Sequence, residues 1–139
     1  MNLRVPSVAT MTHHRHPVFR AAGAGGLVGI ALVHLLDLPG KLGETPYLGV
    51  AYIVLIVASL AAAVLLVLEG DRRQWLLAGG LAAATMVGYA INRTVGMPGA
   101  MDDIGNWTEP LGLLSLLCEG FVVILAARAV VTATRSGQR

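Results

Sequence analysis

The chain has 139 residues, of which 55% are hydrophobic and 13% charged. With a mean hydropathy of +0.70, too little polar surface remains to cover a soluble globule, so a membrane-embedded chain is expected. The pI of 9.1 does not point to nucleic acid, because the basic residues fall in separate juxtamembrane segments without a nucleic-acid-binding motif.

Residues 1–17, MNLRVPSVATMTHHRHP, lack apolar periodicity and read as a mobile cytoplasmic tail. Its histidines His13, His14 and His16 read as surface decoration, because no carboxylate or cysteine accompanies them to complete a metal site. The first apolar run, 18–38, has a basic flank, but no small-residue cleavage site follows it, so it is expected to stay as a span. Its Gly25 and Gly29, four apart, suit close approach of another helix.

The second run, 48–68, carries Tyr52 and Ser59 as its only polar side chains. No face of it could be solvated, which excludes a soluble helical bundle. The short basic segment EGDRRQ makes the third run, 75–93, an antiparallel neighbour of the second. Gly79, Gly80 and Ala83 give that third run a small-residue face like the first. The fourth run, 110–134, is interrupted by Glu119 and Arg128, and residues 135–139 form a C-terminal tail. A helix crosses about 30 Å of hydrocarbon with about 20 residues, and the four runs suffice. They are continuous rather than alternating, so strands are not expected. The fold expected is all-α, a four-transmembrane-helix bundle over residues 18–134 in contact with the lipid bilayer.

Eight of the ten Lys and Arg residues belong to one side: Arg4, Arg15, Arg20, Arg72, Arg73, Arg128, Arg135 and Arg139. The other side holds Lys41 and Arg93 against Asp37, Glu44, Asp102, Asp103 and Glu109. The positive-inside rule therefore places both termini in the cytoplasm and the acidic connections outside. Those connections, Pro39 to Tyr47 and Thr94 to Glu109, read as glycine- and proline-rich loops.

The polar residues that topology leaves unexplained converge on the outer end. His34 and Asp37 share a face in the last turn of the first span, with Glu44 and Tyr47 following. Asn92 and Arg93 end the third span, one turn beyond Tyr89, and Trp107 and Glu109 introduce the fourth. An arginine at a helix end can snorkel to headgroups, yet pairing with Glu109 or Asp102 is also open, Glu109 being favoured. Glu119, ten residues beyond Glu109, falls about 15 Å below the outer surface. An ionised carboxylate at that depth costs about 2.5 kcal/mol or more, so it should be protonated, paired or facing water. Ser115, four residues earlier, extends a polar track outward.

The segment NRTVGMPGAMDDIGNWTEPLGLLSLLCEG, with HLLDLPGKLGETPYLG, resembles a pattern found in small uncharacterised four-span bacterial integral membrane proteins. The resemblance implies a bacterial cytoplasmic (inner) membrane and weight on Arg93, Trp107, Glu109 and Glu119. It carries no activity, and leaves the cofactor unknown.

The binding set expected is thus His34, Asp37, Glu44, Tyr47, Asn92, Arg93, Asp102, Asp103, Trp107, Glu109 and Glu119. An acidic mouth above a midplane carboxylate suits binding or conduction of a cation or proton. The alternative is an accessory or structural subunit, within a homo-oligomer or a larger membrane complex. A membrane enzyme acting near the outer surface ranks below both, since no catalytic triad, phosphate loop or paired cysteine is recognisable. The ligand types would suit a first-row divalent metal, but no paired histidine or cysteine motif supports one, and an outer cap of ion pairs is preferred.

Overall fold

The computed structural model describes residues 15–136 of the chain. His13 and His14, most of the expected N-terminal tail and the last residues of the C-terminal tail lie outside the described residues.

Four long helices account for nearly all of the described chain: α1 (Arg15–Glu44), α2 (Pro46–Leu68), α3 (Arg72–Thr94) and α4 (Pro110–Ser136). A short 3-10 turn, Met101–Asp103, interrupts the α3–α4 connection. Among the described residues there is no strand, and four helices are long and apolar enough to cross a membrane. The helices pack as a ring in chain order, α1 on α2, α2 on α3, α3 on α4 and α4 back on α1. The seam between α2 and α3 is the sparsest of the four.

One expected loop is largely helical. α1 runs through Pro39 as far as Glu44, so that Thr45 alone separates it from α2. Proline removes one backbone donor and crowds the preceding turn, but the helix resumes when the freed carbonyl finds another partner. Pro46 then starts α2 at a position where a missing N–H costs nothing. The sharp corner needs Gly49, because a Cβ there would come within 3.0 Å of the Leu42 Cα and closer still to its side chain.

The α2–α3 turn is built from Glu69, Gly70 and Asp71. Gly70 takes a left-handed φ of +61°, which favours glycine. Asp71 caps α3 by accepting from the backbone N–H of Arg73 at 2.8 Å and of Gln74 at 3.3 Å. The Gln74 side chain donates back to Glu69.

The apolar core lies toward this arginine-bearing end. It is built from Ala24, Leu27 and Ile30 of α1, Ala63 and Leu66 of α2, Trp75, Ala78 and Ala82 of α3, and Val122, Leu125 and Ala126 of α4. Glycines set the spacing within the bundle: a Cβ on Gly26 would meet Val122 at 2.6 Å, and one on Gly79 would meet Ala126 at 2.7 Å. Gly29 approaches Cys118 in the same way, whereas Gly25 and Gly80 have nothing within 4 Å. The small-residue stripes thus serve helix packing inside the bundle at Gly26, Gly29 and Gly79.

Candidate functional site

The opposite half of the bundle is not filled. A cavity of about 400 Å³ lies among the four helices there, from Lys41 and Asp103 at the polar end down to Glu119. Its middle is lined by small and aliphatic side chains, including Val33, Leu55, Leu81 and Ala84.

The polar end is held by Asp103. Its carboxylate accepts from Arg93 Nη1 at 2.6 Å, from Asn92 Nδ2 at 2.9 Å and from Lys41 Nζ at 3.3 Å. Arg93 also lies 3.5 Å from Glu109, and its guanidinium sits 5.0 Å from the Tyr89 ring centroid. Partial burial raises the Asp103 carboxyl, but the donors Asn92, Arg93 and Lys41 outweigh it and hold the group below the usual carboxylate range.

The main partner of Arg93 is therefore Asp103, with Glu109 second, where the sequence favoured Glu109. The α3–α4 connection folds back so that the Gly105 N–H donates to the Arg93 carbonyl at 2.9 Å, with Gly105 in a left-handed φ of +80°. That return brings Asp103 over the end of α3 and leaves Asp102 exposed. Glu109 is drawn aside because it caps α4, accepting from the N–H groups of Leu111 at 2.9 Å and Gly112 at 2.7 Å. Arg93 itself is only 6% exposed, which excludes snorkelling to headgroups.

His34 and Asp37 line the cavity from α1. The buried His34 ring places Nδ1 2.9 Å from the Ile30 carbonyl, so Nδ1 carries the proton and Nε2 of the neutral ring is an acceptor. Tyr52 meets the His34 ring edge-on at 4.7 Å and donates to Asp37 at 3.2 Å. Sequence reasoning counted Tyr52 only as one polar side chain in a span. A lone tyrosine one turn into an apolar run, at the end where His34 and Asp37 lie, was the available signal.

Glu119 closes the deep end and is 1% exposed. Ser115 donates to its Oε1 at 2.5 Å, while Oε2 is buried without a hydrogen-bond partner. The contact of Gly29 with Cys118 sets the register between α1 and α4. His34 is five residues beyond Gly29. Glu119, one residue deeper than Cys118 on the antiparallel α4, therefore lies roughly 9 Å deeper than His34 along the bundle. Beyond it lies the apolar core, from Leu27 and Val122 onward.

The structure thus brings His34, Asp37, Asn92, Arg93, Asp103, Glu109 and Glu119 to one cavity. Glu44, Tyr47, Asp102 and Trp107 are exposed and outside its walls. Tyr47 still donates to the Pro98 carbonyl at 2.8 Å, and Trp107 packs edge-on against Tyr89 at 5.9 Å, so both brace the connection. Lys41, Tyr52, Tyr89 and Ser115 join the walls in their place.

The charges do not cancel throughout. Lys41 and Arg93 are engaged by Asp103 and Glu109. Among the described residues, neither Asp37 nor Glu119 forms an ion pair. Among the described residues, too, no three His, Cys, Asp or Glu side chains come together as metal ligands would. No family model, no curated protein and no solved structure matches the chain, so the four-span architecture and this cavity are what its function has to be read from.

Proposed function

We propose that this chain is a small multi-pass protein of a bacterial cytoplasmic membrane, with both termini inside, whose outward-facing cavity binds a proton or other cation at Glu119. The observation that carries this reading is the buried carboxylate at the foot of the cavity, one of whose oxygens lacks a partner. A carboxylate in a low-dielectric site takes up charge compensation from whatever cation reaches it, the proton first. The acids without ion-pair partners, Asp37 above and Glu119 below, attract cations inward, while Lys41 and Arg93 are already neutralised at the mouth. The packed core beneath Glu119 favours binding in a blind cavity over conduction through an open pore.

The test uses two measurements on purified full-length protein. Dicyclohexylcarbodiimide attacks protonated carboxyls in apolar surroundings, so it is expected to modify Glu119 in a pH-dependent manner and to spare Glu119→Gln. Infrared difference spectra between acid and alkaline pH then report a protonated-carboxyl band in wild type that Glu119→Gln lacks. Absence of modification together with identical carboxyl bands for both chains overturns the reading.

A further inference from the structure

Resting on that reading of Glu119, we infer that the cation the cavity accommodates is organic: an amine or quaternary ammonium attached to an apolar body, reaching the site from the lipid through the seam between α2 and α3.

The shape and lining exclude a bare inorganic ion as the natural occupant. Alkali and divalent metals replace their hydration with several oxygen ligands. At the foot of this cavity only Glu119 Oε2 is without a partner, Oε1 being taken by Ser115, and Val33, Leu55 and Leu81 line the walls. A volume of about 400 Å³ is within the range used by small organic ligands, roughly 300–1,000 Å³. An organic ammonium needs one negative charge and brings its own apolar atoms to fill the remainder. Its alkyl or aryl part would lie against the aliphatic middle, and the Tyr52 ring offers an aromatic surface above.

The seam supplies the route. α2 and α3 touch least of the neighbouring helices, and small residues, Ala51 on α2 with Ala84 and Gly88 on α3, are among those they contribute to the cavity beside Leu48, Leu55 and Leu81. Ala51 and Ala84 are exposed on the helix surface and also line the cavity. The polar end, by contrast, is latched by Lys41 and Arg93 on Asp103. An apolar cation partitions into the bilayer, and the sparsest seam of the ring faces that phase.

Binding then competes with protonation of Glu119. The other titratable groups around the cavity are His34 and Asp37 on α1, Tyr52 on α2 and Tyr89 on α3. Lys41, Arg93, Asp103 and Glu109 form the ion-paired mouth, and Cys118 flanks Glu119 on its own helix. Protonating Glu119, Asp37 or His34 adds positive charge, so each acts in one direction: acid weakens binding.

The experiment titrates full-length protein in detergent with phenyltrimethylammonium by calorimetry, and competes it with tert-butylbenzene, its neutral isostere. The probe carries a permanent charge, so any pH dependence belongs to the protein. Binding is expected to weaken as pH falls, to drop about tenfold or more in Glu119→Gln, and to show a shallower pH dependence there, the remainder belonging to Asp37 and His34. Glu119→Asp, which keeps the charge, is expected to retain pH-dependent binding, and a cooperative thermal transition checks that both variants fold. No heat with wild type, equal affinity in Glu119→Gln, or displacement by tert-butylbenzene as effective as by the cation overturns the inference. Carbodiimide modification of Glu119 without phenyltrimethylammonium binding overturns it while leaving the proton reading standing. Failure of the modification itself strikes the reading beneath.

Discussion

Arg93 Nη1 and Asp103 Oδ1 meet at 2.6 Å, joining the last turn of α3 to the connection that closes the polar end of the cavity. The pair is buried on the arginine side, and the same carboxylate also receives Lys41 from α1. One aspartate in a loop therefore ties two helices together.

Replacing Arg93 by Gln should destabilise the protein in detergent by about 1.5–3 kcal/mol, because it removes the charged hydrogen bond to Asp103, which keeps only Lys41 and Asn92, and the contact to Glu109. Arg73→Gln, at an exposed position beside the α2–α3 turn, should change stability by less than about 0.5 kcal/mol. Thermal unfolding followed by circular dichroism compares the two. Equal effects would contradict the latch.

The latch also predicts a pH dependence. The Asp103 carboxyl is held below its ordinary range in the folded chain, so the stabilisation it gives is present above the unfolded value and is lost as pH falls through the folded one. Wild-type protein should therefore lose unfolding temperature on acidification below the usual carboxylate range. Asp103→Asn should be less stable at neutral pH and show a shallower acid slope, whereas Asp102→Asn, at an exposed neighbouring position, should follow wild type.

Adjacent glycines on α1 should behave oppositely. Gly26→Ala places a Cβ 2.6 Å from Val122 and should cost about 1–3 kcal/mol as α1 and α4 are pushed apart. Gly25→Ala meets nothing within 4 Å and should be neutral or slightly stabilising through helix propensity of about 0.5–1 kcal/mol. Unfolding in detergent distinguishes them, and similar losses from both would show that Gly25 is a packing site too.

The proposed orientation has a direct check. In a Cys118→Ala background, a cysteine at Asp102 should react with a membrane-impermeant maleimide on intact cells, and a cysteine at Arg72 only after permeabilisation. Both positions are exposed at opposite ends of the bundle, so access depends on the side alone. The reverse labelling pattern would invert the topology and turn the cavity toward the cytoplasm.

Continuous apolar runs and the shortness of the α2–α3 turn were enough to specify four helices and antiparallel order for the second and third, because lipid leaves a spanning backbone few alternatives. The charged ends of those runs were legible as well. His34 with Asp37, and Arg93 with Glu119, stood out since each is costly near hydrocarbon and sequence separation alone placed them on helix faces. Tertiary structure decided which of them meet. Asp103 outcompetes Glu109 for Arg93 because a loop returning through Gly105 sets its register, while Glu109 is held by two backbone donors of α4. Pro39 likewise read as a break, yet α1 continues to Glu44, bringing Lys41 to Asp103. The cavity could not be read at all: an unfilled space is a property of four helices facing one another, and Tyr52 acquires its role only once α2 lies against the His34 face of α1.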